Sequence, residues 1–305
     1  MTLKPGLSNA ATAKLLLLAL SFCWGLSWAA MRIALDEVSP WTLRVLGYGI
    51  GAVTLLALMR AQGRTLAIPY GRAWLHVGAA ALFNVIAFGL AGTFAQLLAS
   101  TSRVIIINYS MPIWGSLMAF FVLGERIGVR SAIGLVLCVI GLTVLVYPVL
   151  GESLNEPIGL LLAFICSLSW GAGTIYMKWA RIQGDLMAIT LWQVVLGMIV
   201  FAAGFLIFQG APTIEPLQWR TWGGLLFTGI FGTGLAFFIW FNIIGRLSTA
   251  AASLGALLNP VVGVIGAVIL LGDRPTVSDI TGFALIFSAA ACVLIPERRK
   301  PLRAV

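Results

Sequence analysis

Four amides stand within the apolar runs of this 305-residue chain, Asn84, Asn108, Gln193 and Asn259, and one arginine, Arg44, stands one turn into its run. An amide among apolar residues is costly unless something bonds it, so each should meet a neighbouring helix, an interrupted backbone or a ligand. Asn108 lies one turn before Pro112, and Asn259 directly precedes Pro260. These two can complete the hydrogen bonds that a proline disturbs or can contact a ligand, and both roles stay open. Arg44 also has two roles open: its stem lets the head snorkel to a membrane surface, or the guanidinium recognises an anionic group such as a carboxylate. His76, the only histidine, is followed at multiples of four residues by Asn84 and Phe88, which places the three on one helix face. Trp24 and Trp28 share a face near Ser27, and Trp170 and Thr174 make a similar stripe with Ser167, Gly171 and Lys178. Trp192 and Trp240 lie equally deep. Indoles and polar atoms on one face suit the wall of an amphipathic cavity; tight helix packing around small residues is the alternative.

Little covalent chemistry is legible in this set. There is no phosphate-binding G-x-x-x-x-G-K-[S/T] loop, so nucleotide hydrolysis is not expected. A single histidine excludes H-E-x-x-H and any paired-histidine metal site. No paired carboxylates share a helix face, and all ten acidic residues fall at span ends or in loops. The four cysteines (Cys23, Cys138, Cys166, Cys292) sit in apolar runs without metal-ligand spacing. No cofactor, no metal and no enzymatic activity are expected.

The elements that must position these residues are membrane helices. The chain is 60% hydrophobic and 10% charged, against about a quarter charged in a soluble domain. Apolar blocks of bilayer length follow one another near 13–34, 40–60, 72–97, 102–123, 128–149, 157–180, 186–209, 218–245, 248–271 and 276–296. Lys14 and the leucines after it look like a secretory signal, but residues 15–34 recur as 161–180 in mid-chain, so a retained helix is expected. With ten spans, the segments on the side of the N-terminus carry 14 basic residues (Lys4, Lys14, Arg60, Arg64, Arg72, Arg126, Arg130, Lys178, Arg181, Arg246, Arg298, Arg299, Lys300, Arg303). The other side carries four: Arg32, Arg103, Arg220 and Arg274. The positive-inside rule then places both termini in the cytoplasm and the chain in the cytoplasmic membrane. It also accounts for the net charge of +9 without a nucleic-acid partner.

The blocks are written twice. Trp24-Gly25 matches Trp170-Gly171 at an offset of 146, and Pro112 with Gly124-Glu125-Arg126 matches Pro260 with Gly272-Asp273-Arg274 at 148. Five spans per copy make the copies upside down to each other, so the expected fold is all-α, with two inverted five-helix repeats, 1–152 and 153–305, around a central cavity. Pro112 and Pro260 are expected to break their helices and to act as hinges at opposite gates.

The run from Leu98-Ala99-Ser100-Thr101-Ser102 through Pro112 to Gly124-Glu125-Arg126, and its copy from Leu247-Ser248-Thr249-Ala250 to Gly272-Asp273-Arg274, resembles the EamA-type drug/metabolite transporter superfamily over roughly 13–296. Its aromatic-rich form is most similar to bacterial exporters of aromatic amino acids. The resemblance implies ten helices, with 1–4 and 6–9 around the substrate cavity and 5 and 10 peripheral. Asp273 departs from the Glu usual in that family. The expectation is an uncoupled, alternating-access exporter of small amphipathic metabolites, foremost aromatic amino acids, acting as a monomer in the bilayer. Export of purines, other amino acids or drugs, with or without proton coupling, is the alternative. A membrane scaffold or receptor is the alternative of another class.

Overall fold

The computed structural model describes residues 9–69, 71–150, 154–209, 216–243 and 249–295, with the side chains of 9–11 and 249–255 excepted. Lys4, Arg246, Arg298, Arg299, Lys300 and Arg303 of the charge count, and Leu247 and Ser248 of the second motif, lie outside the described residues. Among those described, regular structure is helical throughout: α1 Asn9–Ala34, α2 Pro40–Ala61, α3 Arg72–Leu98, α4 Thr101–Leu123, α5 Val129–Val149, α6 Asn155–Ala180, α7 Leu186–Phe208, α8 Trp219–Ile243, α9 Thr249–Leu271 and α10 Val277–Leu294. Nine are long and apolar enough to cross a bilayer; in α9 the fully described stretch, Ala256–Leu271, is apolar and shorter. Large apolar side chains such as Phe121, Ile207 and Ile269 remain exposed on the outside of the bundle, where a bilayer would cover them.

Local chemistry sets the ends. Ser39 accepts from Thr42 N–H (3.1 Å) ahead of Pro40 at the start of α2, and Asp185 accepts from Met187 N–H (2.8 Å) at the start of α7. Thr276 and Asp279 form a reciprocal capping box on α10. Gly124 (φ 68°) and Gly272 (φ 74°) adopt the left-handed conformation that ends α4 and α9 at equivalent places.

The two prolines are not equivalent in this state. α4 is interrupted at Tyr109-Ser110, and Pro112 falls in the first turn of the segment Met111–Leu123, where its missing N–H leaves no gap. α9 runs unbroken through Pro260, so the expected second break is absent. The interruption in α4 is patched by Ser110, whose hydroxyl bonds Ile107 O (2.6 Å), meets Ser167 Oγ (3.0 Å) and accepts from Trp114 Nε1 (2.8 Å).

Both third helices carry a wide π-helical stretch, Leu82–Ala87 in α3 and Phe227–Leu235 in α8. Such bulges cluster at functional sites.

Packing follows a two-fold pattern that crosses the repeats. α1 lies along α8 and α9, while α6 lies along α3 and α4; α2 packs on α7 and α5 on α10. The closest approaches repeat as well. A Cβ on Gly25 of α1 would stand 2.9 Å from the Asn259 carbonyl, and one on Gly171 of α6 would stand 3.4 Å from that of Met111, the residue 148 before Asn259. Gly47 and Gly51 let α2 approach α8 closely, a Cβ on Gly51 coming within 3.1 Å of Gly229 O. Five alternating crossings per repeat make the repeats antiparallel.

Candidate functional site

The helices enclose a cavity of about 900 Å³, within the size range of small-molecule sites. Its lining runs from Glu125, Arg126 and Leu294 at one end to Met31 and Arg44, a turn or so short of the other. The first end also carries Arg64, Lys178 and Arg181 and is called here the basic end.

The far end is latched. Gln96 Nε2 donates to Trp28 O (3.2 Å) and Thr101 Oγ1 donates to Gln96 Oε1 (2.8 Å), both side chains being buried. Above them Asp273 accepts from Ser102 N–H and Oγ, each at 2.8 Å. Arg103 then bridges Asp279 (2.6 Å) and Glu156 (2.6 Å), joining α4, α10 and the start of α6. At the basic end Glu125 meets Lys178 and both are half exposed.

Of the residues expected at a cavity, Trp24, Trp28, Arg44, Asn84, Phe88, Asn108, Trp170, Thr174, Gln193, Trp240 and Asn259 line it, as do Pro112 and Pro260. The rings form two groups. Trp170 stands 5.0 Å and Trp28 6.2 Å from Phe88; Trp24 stands 5.8 Å from Trp240 and 6.1 Å from Phe237. Asn84 donates to Gln193 Oε1 (3.0 Å), a bridge from the π stretch of α3 to α7.

Arg44 does not snorkel. It is 6% exposed, its Nε donates to Gly89 O (3.1 Å) and Thr93 Oγ1 (2.5 Å), and its head lies 5.2 Å from the centre of the Tyr48 ring. Among the described residues no carboxylate lies within salt-bridge distance of it. Asn108 Oδ1, Asn259 Oδ1 and Thr228 Oγ1 are buried without a hydrogen-bond partner, and all three residues belong to the cavity wall.

Two expected residues lie elsewhere. His76 Nδ1 is 2.7 Å from Tyr176 Oη between α3 and α6; eight residues of helix turn it by about 80° from Asn84. Trp192 donates to Leu66 O (3.0 Å) and packs on Trp74 at 5.1 Å; it neighbours Gln193 in sequence, and consecutive residues face different ways. The implied peripheral place of the tenth helix is also corrected. α5 contributes Ser131 alone, but α10 contributes Phe283, Ile286, Phe287, Ala290, Val293 and Leu294. The cavity reaches α10 where α4 and α9 present Gly115, Ser116, Ala119 and Ala256. Sequence reasoning missed Tyr48, Tyr109, Thr228 and the Arg103 bridge. Only the last had a signal, the Thr276-x-x-Asp279 capping pattern that fixes Asp279.

Antiparallel repeats around an amphipathic cavity, latched at one end, define a multi-pass membrane transporter for a small-molecule substrate. The chain belongs to the EamA-like transporter family, whose pattern it matches twice, over residues 11–147 and 157–295. It is 24% identical over 271 residues to the uncharacterized transporter YoaV of Bacillus subtilis, covering 88% of this chain and 92% of that one. It is 26% identical to a probable amino-acid metabolite efflux pump of Salmonella typhimurium, covering 87% and 89% of the two chains. A solved crystal structure shares the fold with a TM-score of 0.65 at 21% identity, over 93% of this chain and 96% of that chain.

Proposed function

We propose that the protein exports amino acids with aromatic side chains from the cytoplasm by alternating access, as a monomer whose repeats are 1–152 and 153–305. The observation that carries the reading is Arg44. A buried guanidinium anchored through Nε, with no carboxylate beside it, keeps its terminal nitrogens for an anion inside the cavity. The orphan oxygens of Asn108, Asn259 and Thr228 want donors, and a substrate ammonium has three N–H groups. Carboxylate, ammonium and ring together describe an aromatic amino acid, with Phe88, Trp170, Trp24 and Trp240 as ring partners. A purine or a neutral drug has no carboxylate for Arg44. The similarity to a probable amino-acid metabolite efflux pump of Salmonella typhimurium supports an amino-acid substrate.

The excess of basic residues at the open end supports a cytoplasmic orientation for it, so in this reading the substrate enters from there and meets Arg44 at the closed end. Uncoupled export fits a cavity whose only acid among the described residues is Glu125 at its mouth. Counterflow in proteoliposomes of the purified protein tests the proposal. Exchange of labelled tryptophan, phenylalanine or tyrosine, unaffected by an imposed pH gradient, is the expected result. Exchange of adenine or a cationic dye with none of the amino acids would overturn the substrate class, and pH-driven accumulation would overturn the lack of coupling.

A further inference from the structure

Glu125 and Asp273 occupy equivalent positions, each directly after the left-handed glycine that ends α4 or α9. Their backbones agree: Glu125 N–H donates to Ala119 O (3.3 Å) and Asp273 N–H to Ala267 O (3.4 Å), acceptors 148 residues apart. Their side chains do not. Asp273 holds the first turn of α4 through Ser102, whereas Glu125 holds Lys178 of α6. The difference follows the state of the two ends, closed at Asp273 and open at Glu125. The repeat relation names the missing partner of each acid. The residue equivalent to Ser102 is Ala250, in the first turn of α9. The residue equivalent to Lys178 is Arg32, which lines the same polar pocket of about 390 Å³ as Asp273 and now pairs with Asp36.

We propose that each acid is a two-position latch across the repeats, a device that rests on the alternating-access reading above. When its end closes, the acid binds a helix start, Asp273 on Ser102 or Glu125 on the N–H of Ala250. When its end opens, it moves to a cation, Asp273 to Arg32 or Glu125 to Lys178. Free N–H groups and the helix dipole make a helix start a good seat for a carboxylate, and the cation receives the charge when that start swings away. The latch is unequal. Ser102 offers a hydroxyl as well as an N–H, and Ala250 offers only the N–H. The Arg103–Asp279 pair has no counterpart, since the equivalent residues are Ala251 and Ser131. The state closed at Asp273 is therefore the resting one.

The test places a single reporter, Ser116→Cys, on the cavity wall of the full chain in right-side-out proteoliposomes. Labelling by a membrane-impermeant maleimide is read from each side against the parent, whose native cysteines give the background. Asp273→Ala should raise labelling from the Asp273 side about tenfold, the loss of a cap and a hydroxyl bond. Glu125→Ala should lower it about threefold, the lost cap less the lost exposed pair with Lys178, and Lys178→Ala should raise it. Opposite signs for two equivalent acids are the mark of the latch. Shifts of the same sign, or no shift in Glu125→Ala, would overturn it. Asp273→Asn and Glu125→Gln carry the same test if an alanine variant fails to fold. Labelling from one side only, in the parent and every variant, would remove alternating access itself and the latch with it.

Discussion

In Arg44→Ala the wall loses its buried cation while the surrounding protein loses little. Thr93 Oγ1 already donates to Gly89 O at 2.6 Å, so the carbonyl that Arg44 shares keeps a donor. The contact with the Tyr48 ring at 5.2 Å is lost, at a cost of about 0.5–2 kcal/mol. The substrate is affected more. A hydrogen bond to a charged group contributes about 1.5–3 kcal/mol, which at 1.4 kcal/mol per tenfold is a loss of roughly 10- to 150-fold in affinity for a carboxylate. The comparison that isolates this term is tryptophan against tryptamine, which keeps the ring and the ammonium and lacks the carboxylate. Half-saturation for tryptophan counterflow should rise by that factor in Arg44→Ala, while competition by tryptamine stays within about twofold. Arg44→Lys should fall between, since a point charge replaces the planar fork and the anchored Nε is gone. Equal losses for both ligands, or an unchanged half-saturation for tryptophan, would refute the carboxylate role.

Further outcomes follow from residues away from the substrate. Arg103→Ala removes the cation beside Asp279 and Glu156, whose side chains are 5% and 22% exposed; with Asp279 still held by Thr276, the lost charged hydrogen bonds should cost about 1.5–3 kcal/mol, seen as a lower melting temperature in detergent. Gly51→Ala puts a Cβ 2.6 Å from Thr233 Cβ and should cost about 1–3 kcal/mol by the same melt. Gly78→Ala, with nothing within 4 Å, should instead gain about 0.5–1 kcal/mol in its helix. Trp192→Phe and His76→Phe should leave the half-saturation for tryptophan unchanged, and the first should lower stability by about 0.5–1.5 kcal/mol through its lost bond to Leu66 O.

The spans were readable because a bilayer demands about 20 apolar residues whatever the packing. The repeat was readable because glycines at helix contacts have no substitute: Gly25 and Gly171 recur where backbone meets backbone. The π stretches had no such mark. An extra residue in a turn is a matter of register, set by what α3 and α8 pack against, and spacing by fours drifts on a helix, so His76 leaves the face of Asn84 and Phe88. The prolines show the limit of motif reading. Pro112 and Pro260 stand in the same pattern, yet one begins a segment and the other sits in a continuous helix. Arg44 was legible as a residue with two possible fates, and only its neighbours Gly89 and Thr93 decide between them.

The crossing of α1 onto α8 and α9, matched by α6 on α3 and α4, bears on how each half depends on the other. α1 has few contacts within its own half, so a lone half would present to the membrane the very surfaces that the other half now covers. A chain the length of one repeat would need a second copy, inserted upside down, to cover those surfaces. Joined in one chain, the two ends are free to differ, and one has the Arg103 bridge while the other has Ala251 and Ser131 in the equivalent places.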